Sequence, residues 1–161
     1  MTSLSEKSKS YIIETPYEFE GEFTPILDKP YVPADFQKYA CTALNNDNSV
    51  LVLAHTGSGK TYVLEHAVKL GLEEGKKVIL TFPIKVLSNQ KYNDLCQIYS
   101  RQQHLIGIMT GDVKLNLDAS VLIMTTEILK QMVMNDPKYL KDVAYVVFDE
   151  FHYINDASRG N

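Results

Sequence analysis

Short apolar runs alternate with amphipathic stretches along most of this chain, and the two patterns predict strands and helices respectively. The apolar runs predict strands at 50–53, 78–82, 105–109, 121–124 and 144–148. Apolar residues at helical spacing predict helices at 34–44, 59–72, 86–99 and 126–134. Buried strands that alternate with helices pair in parallel through crossover helices. With right-handed crossovers, the pattern predicts an α/β fold, a three-layer sandwich around a mostly parallel sheet.

The first thirty residues lack this alternation. Residues 1–10 contain serines and lysines without an apolar run, so we expect a disordered tail and not a secretory signal. Residues 11–30 alternate loosely and contain turn signals, which predicts an N-terminal arm or a short strand pair. Residues 31–161 are sufficient for a single domain.

Composition narrows the class of protein. Apolar residues make up 45% of the chain, and no apolar run approaches the roughly 20 residues that span a bilayer, so we expect no membrane partner. Cys41 and Cys96 lie in predicted helices without metal-binding spacing, which indicates a reducing, intracellular compartment, cytoplasmic or nuclear. The net charge of −4 disfavours a broad basic surface, but it permits contacts to a short single strand of nucleic acid.

The strongest chemical signal lies between the first predicted strand and the helix that follows it. Residues 54–61 read Ala-His-Thr-Gly-Ser-Gly-Lys-Thr. Glycines let backbone N–H groups converge on phosphate oxygens, and the start of the helix favours the same anion. Lys60 is placed to contact the β and γ phosphates, and the Thr61 hydroxyl is placed to bind Mg²⁺. We therefore predict a site for ATP and Mg²⁺ formed by Thr56, Gly57, Ser58, Gly59, Lys60 and Thr61. The alternative is a glycine-rich turn that only caps a helix.

A second signal lies at the end of the last predicted strand, where residues 146–152 read Val-Val-Phe-Asp-Glu-Phe-His. Ligands of open parallel sheets bind outside the carboxyl ends of the strands, so Asp149 is expected beside the glycine-rich loop. Its carboxylate would hold Mg²⁺ together with Thr61. Glu150 is placed to orient or deprotonate the attacking water, with His152 facing the same side. The alternative is a solvated acidic strand end.

Together these motifs resemble those of the superfamily 2 DExH-box helicases, and more specifically the superkiller-type and exosome-associated RNA helicases. Residues 81–92, 109–112, 122–129 and 148–160 follow the motifs of that family in order and spacing. The resemblance implies the first RecA-like domain of a P-loop ATPase that couples ATP hydrolysis to 3′–5′ translocation and unwinding of RNA. It also implies association with RNA-decay machinery in the complete protein.

The resemblance assigns roles to individual residues. Gln37 corresponds to the glutamine that reads the adenine edge, and Tyr31 to an aromatic residue that stacks on the base. The catalytic positions are Lys60, Asp149, Glu150 and His152. Contacts to the nucleic-acid backbone are implied for Pro83, Ile84, Lys85, Thr110, Gly111, Asp112, Thr125, Thr126 and Glu127. Taken singly, each of these segments could be only a strand-end turn or a helix cap.

The family continues beyond Asp-Glu-x-His into a second RecA-like domain, so we expect residues 31–161 to be a truncated motor domain. Such a domain should bind ATP–Mg²⁺ weakly, hydrolyse it very slowly and not unwind RNA. Two alternatives remain. One is a DNA-directed superfamily 2 helicase or another P-loop ATPase. The other is a non-catalytic module that binds nucleotide, nucleic acid or a partner protein.

Overall fold

The fold is given by a computed structural model that describes residues 18–135 and 137–150. The helices in these residues are α1 (Asp35–Asn45), α2 (Thr61–Glu73), α3 (Lys85–Ile98) and α4 (Thr126–Asn135). The strands are β1 (Lys77–Phe82), β2 (Ile106–Met109), β3 (Lys114–Leu115), β4 (Val121–Thr125) and β5 (Val143–Phe148). Two 3₁₀ helices, Ser100–Leu105 and Pro137–Leu140, lie between them.

The strands form one sheet in the order β3-β2-β4-β1-β5. The pairs β2–β4, β4–β1 and β1–β5 are parallel, and only the two-residue β3 runs antiparallel to its neighbour β2. The carboxyl ends of β2, β4, β1 and β5 therefore meet at one edge of the sheet, where the acidic pair 149–150 and the segments predicted to contact nucleic acid begin.

Helices cover the sheet on both faces and produce three layers. Leu64 and Val68 of α2 and Leu95 of α3 pack on one face, in a core that includes Leu80 of β1 and Ile123 of β4. On the other face, α4 packs its Leu129 against Ile79, Leu122 and Met124. β4 is buried at all five positions, as expected for a strand covered on both faces. The predicted three-layer α/β sandwich is confirmed.

Helix α1 lies outside this core, against the exposed side of α2. Ala40 and Cys41 of α1 pack against Tyr62 and Val63 of α2, with Phe23 from the preceding arm beside them. Burial raises the pKa of the Cys41 thiol to about 12, so this thiol is inert at neutral pH. Within the described part of the arm, residues 18–30 form neither helix nor strand.

The predicted strand at 50–53 is wrong. Residues 48–55 are not in the sheet, and Leu51 and Leu53 are 68% and 87% exposed. A strand exists through its ladder of hydrogen bonds, and among the described residues no strand lies beside this segment. Its apolar composition alone does not supply that ladder.

The other predicted elements are present, with boundaries shifted by one or two residues. Two features were not predicted: the short β3, and the alternation of burial along β5, where Val146 and Phe148 are 42% and 41% exposed.

The predicted tail at 1–10 and His152 lie outside the described residues. Among the described helices, none has both the length and the apolar character needed to cross a bilayer.

Candidate nucleotide-binding site

The glycine-rich loop runs from Ala54 to the start of α2 and depends on two left-handed glycines. Gly57 and Gly59 have φ angles of 82° and 88°, a region that side chains with a Cβ rarely adopt. The Ser58 N–H donates to the carbonyl oxygen of His55 at 3.2 Å and tightens the turn. Because α2 begins at Thr61, the loop leads directly into the positive end of a helix of 13 residues.

Lys60 folds back over its own loop. Its Nζ donates to the carbonyl oxygens of Ala54 and His55, at 2.8 and 3.0 Å. The ammonium group thus holds the two ends of the loop together. A polyphosphate that entered the loop would offer this group more strongly charged acceptors in exchange for two carbonyls.

Gln37 connects α1 to the same loop. Its side chain is only 4% exposed; Oε1 accepts from the backbone N–H of Ala34 and Nε2 donates to the carbonyl oxygen of Gly59, both at 2.8 Å. A glutamine amide has a second lone pair and a second N–H. Gln37 can therefore hold the loop and still have hydrogen-bonding capacity for an adenine edge, the role that we predicted for it.

Tyr31 precedes α1 and is 52% exposed, with its ring 6.2 Å from the ring of Tyr62 at the start of α2. An exposed aromatic ring near Gln37 and the loop is suited to stacking on a base. The Tyr62 hydroxyl and the Ser58 Oγ are both buried, and neither has a hydrogen-bond partner among the described residues.

The acidic pair follows β5. The Asp149 N–H donates to the carbonyl oxygen of Thr81 in β1 at 3.0 Å, which extends the pairing of the two strands by one residue. Asp149 Oδ1 accepts from the N–H of Glu150 at 3.0 Å. Glu150 has a φ angle of 53°, an uncommon conformation for a residue with a side chain. The chain therefore turns sharply here, at the carboxyl edge of the sheet.

One cleft of about 1150 Å³ brings the two motifs together. At its polar end it is lined by residues of the loop and of the strand end: His55, Thr56, Lys60, Thr61, Asp149 and Glu150. Along its length, it is lined by the segment 48–54 and by β5. The two motifs are 89 positions apart between Lys60 and Asp149, yet they face the same space.

These residues fit an ATP–Mg²⁺ complex chemically. The loop supplies a lysine and a buried Ser58 hydroxyl without a partner among the described residues, and it leads into the positive end of α2. Thr61 and Asp149 supply a hydroxyl and a carboxylate oxygen, which are the hard ligands that Mg²⁺ prefers. Among the described residues, no group of three or more His, Cys, Asp or Glu could hold a metal by itself.

The predicted nucleic-acid contacts lie at the same edge of the sheet. Because β2, β4 and β1 are adjacent and parallel, the segments 110–112, 125–127 and 83–85 leave the sheet side by side, over about 10 Å at the usual strand spacing. The residues of these segments differ in their exposure to solvent. Lys85, Gly111, Asp112 and Glu127 are exposed, whereas Thr110 and Thr125 are 1% and 8% exposed.

Thr110 has a structural role at this edge. Its Oγ1 accepts from the N–H of Val113 at 3.1 Å, and its own N–H donates to the Val113 carbonyl at 2.8 Å. The hydroxyl thus closes the turn between β2 and β3. Its predicted contact to phosphate stays a prediction, and it would require this buried group to become accessible.

Sequence reasoning missed three side-chain links: Lys60 on its own loop, Gln37 on Gly59, and an ion pair between Lys85 and Asp112. Each joins residues that the fold brings together, and no local pattern signals any of them. A similar unpredicted link lies nearer the other end of β5, where the Tyr145 hydroxyl donates to the Glu74 carboxylate at 3.1 Å.

Comparison with known proteins identifies related sequences. A family model described as DEAD/DEAH box helicase matches residues 34–161. The chain is 45% identical over 136 residues to the DExH-box ATP-dependent RNA helicase DExH9 of Arabidopsis thaliana, an alignment that covers 84% of this chain and 13% of the relative. It is 46% identical over 131 residues to the exosome RNA helicase MTR4 of Homo sapiens, covering 81% and 12%. It is 43% identical over 145 residues to superkiller complex protein 2 of Mus musculus, covering 87% and 11%. The chain therefore spans about an eighth of the length of these relatives.

Proposed function

We propose that this chain, which belongs to the DEAD/DEAH box helicase family, is the ATP-binding motor domain of an ATP-dependent RNA helicase. The observation that carries the proposal is the single cleft lined by Lys60 and Thr61 on one side and by Asp149 and Glu150 on the other. A cation and a hydroxyl opposite two carboxylates is the arrangement that phosphoryl transfer to water requires.

Each residue of the site has a part in this proposal. Lys60 exchanges its two carbonyl acceptors for the β and γ phosphates, and the loop and start of α2 supply N–H groups to the same oxygens. Gln37 and Tyr31 bind the base. Glu150 orients the attacking water and accepts its proton. His152 lies outside the described residues and keeps its predicted role beside this pair.

Thr61 and Asp149 are the residues that would hold Mg²⁺, Asp149 through water. The ion, when bound, neutralises charge on the phosphate oxygens. The backbone hydrogen bond from Asp149 to Thr81 fixes the start of the acidic pair relative to β1. The protein would thus supply two acids at the edge where the phosphates bind.

RNA is the proposed nucleic acid because the relatives DExH9 and MTR4 are RNA helicases by name. MTR4 is named for the exosome and a further relative for the superkiller complex, so an intracellular role with RNA-decay machinery is part of the proposal. The segments at 83–85, 111–112 and 126–127, which are exposed or half-buried, would contact the backbone of one strand and give little sequence preference.

The chain spans about an eighth of the length of its relatives, so translocation and unwinding are proposed for a whole protein and not for these 161 residues. We propose that ATP hydrolysis drives 3′–5′ translocation in the whole protein, and that this chain alone binds ATP–Mg²⁺ weakly and hydrolyses it very slowly. Strong RNA-stimulated ATPase activity of the isolated chain would contradict this part of the proposal.

A titration with a fluorescent ATP analogue tests the nucleotide site. Lys60→Ala should weaken binding by at least about tenfold, because a charge-assisted contact to phosphate contributes roughly 1.5–3 kcal/mol. Lys69→Ala is the matched control: it removes a lysine of α2 that pairs with Glu73 at 3.1 Å, away from the loop. Equal binding by wild type and Lys60→Ala would contradict the proposal and favour a module whose lysine is not used.

Competition between RNA and DNA with 3′ overhangs tests the first alternative, a DNA-directed helicase. The proposal expects a preference of the complete helicase for RNA. Preference for DNA would favour a DNA-directed enzyme of the same superfamily, since the nucleotide site is common to both.

A further inference from the structure

Two of the segments predicted to contact nucleic acid are joined by an ion pair. Lys85 Nζ donates to Asp112 Oδ2 at 2.7 Å, across 27 positions of sequence. Lys85 is the first residue of α3, after β1, and Asp112 lies in the turn after β2. Both side chains are accessible to solvent, with 50% and 72% of their areas exposed.

The turn that presents Asp112 is closely defined. Thr110 and Val113 exchange two hydrogen bonds, one through the Thr110 hydroxyl, so that only Gly111 and Asp112 stand at its tip. Asp112 is therefore held over the carboxyl edge of the sheet by a small, buried polar arrangement and not by a mobile loop.

Gly111 makes room for the lysine. A Cβ at this position would lie 3.2 Å from Lys85 Nζ and 3.3 Å from its Cε, so the ammonium group crosses directly over the backbone of the turn. Among the described residues, the atoms that a methyl group would meet there belong to the flexible end of Lys85. The pair with Asp112 and the space above Gly111 thus place the Lys85 ammonium group over the tip of this turn.

A carboxylate and a phosphate compete for the same kind of cation. The Asp112 carboxylate carries the wrong charge to contact a phosphate itself, yet it pairs with the Lys85 ammonium group, which would bind one. The pair is exposed, so its strength corresponds to only a small factor in an equilibrium constant, and exchange of partners costs little.

We propose that Asp112 is a displaceable substitute for a phosphate: it holds Lys85 in place when nucleic acid is absent and is displaced when a phosphate of the strand binds Lys85. The inference rests on the proposed function, since it requires nucleic acid at this edge. It makes Asp112 a positioning residue that lowers affinity and keeps the lysine from pairing elsewhere.

Binding of a fluorescent single-stranded oligouridylate at low salt tests the inference. Asp112→Asn keeps a residue suited to the turn but removes the competing charge, and it should tighten binding about two- to fivefold, the factor that an exposed pair represents. Glu73→Gln is the matched control, because it changes the net charge equally and breaks the Lys69 pair at the far end of α2. It should change binding by less than this factor.

Two further variants show whether Lys85 mediates the effect. In a Lys85→Ala background, which should weaken binding and reduce its salt dependence, Asp112→Asn should give no additional gain. Gly111→Ala should displace the ammonium group and weaken binding without altering the unfolding midpoint in urea.

The outcomes separate the inference from the function on which it rests. If wild type binds and Asp112→Asn leaves that binding unchanged or weakens it, the inference is overturned and RNA binding stands. Binding by Asp112→Asn but not by wild type supports the inference in its strongest form. If neither wild type nor Asp112→Asn binds the oligouridylate, both the inference and the proposed RNA binding are overturned.

Discussion

At the scale of single residues, the candidate site is held together by its own side chains. Lys60 closes the loop on two carbonyls, and Gln37 fastens it to α1. The sequence predicted which residues belong to the site because the glycine-rich and acidic motifs are local patterns. It could not predict these partners, since a hydrogen bond from Gln37 to Gly59 depends on how α1 packs on α2.

Gly59 allows a sharp test at this scale. A Cβ there would lie 2.7 Å from Gln37 Nε2, whereas at Gly57 it would meet no atom of the described residues within 4 Å, although both residues have left-handed φ angles. Gly57→Ala should therefore cost only the backbone strain, about 1–2 kcal/mol of unfolding free energy. Gly59→Ala should cost more, because the strain is added to the displacement of a buried, hydrogen-bonded amide.

Urea unfolding of both variants measures the difference. The Gly59 variant should also bind the ATP analogue less tightly than the Gly57 variant does. Equal destabilisation by the two substitutions would show that Gln37 does not hold the loop.

At the scale of elements, the alternation of strands and helices was predictable because burial on both faces leaves continuous apolar runs, as in β4. The segment 50–53 shows where that reasoning fails. An apolar run resembles a strand in the sequence, but the strand forms only where a neighbour completes the ladder. β3 was missed for the opposite reason: two exposed residues pair with β2 without any apolar pattern.

The contact between α1 and α2 contains a pH-sensitive group, His66. The ring is fully buried; Nε2 lies 2.8 Å from the Asn45 side-chain oxygen, and Nδ1 has no partner among the described residues. Since Asn45 Oδ1 only accepts, Nε2 carries the proton, and protonation would place a second N–H in a buried site without an acceptor. Burial lowers the pKa of His66 from its usual 6.5.

The lowered pKa sets the sign of a pH effect on stability. As pH falls through 6.5 the unfolded state takes up a proton that the folded state resists, so the free energy of unfolding decreases. The slope should approach 1.4 kcal/mol per pH unit until the folded pKa is reached. His66→Gln, which retains an N–H donor for Asn45, should abolish this slope between about pH 5 and 7. The exposed His104→Gln is the control, and a slope unchanged by His66→Gln would contradict the account.

At the scale of the whole molecule, the cleft is both the candidate site and an exposed apolar trough. Beyond its polar end, it runs between the segment 48–54 and β5, with Leu51, Leu53, Val146 and Phe148 each more than 40% exposed. Exposed apolar residues clustered in one trough favour association between chains.

We therefore expect the 161-residue chain to self-associate as its concentration rises. Leu51→Lys combined with Leu53→Lys should shift the chain toward monomer without lowering its urea midpoint, because both side chains are already exposed. Sedimentation velocity over a concentration series measures this. A wild-type chain that stays monomeric at about 100 μM would contradict the expectation.

The central claim is that the loop and the acidic strand end bind one ATP–Mg²⁺ complex between them. The most direct test is the effect of Mg²⁺ on affinity for the fluorescent ATP analogue, in wild type, Asp149→Asn and the exposed control Asp118→Asn. We predict that Mg²⁺ tightens binding to wild type and to the control, and that Asp149→Asn loses this gain while it still binds the Mg²⁺-free nucleotide through Lys60. A gain from Mg²⁺ that is as large in Asp149→Asn as in wild type would contradict the account.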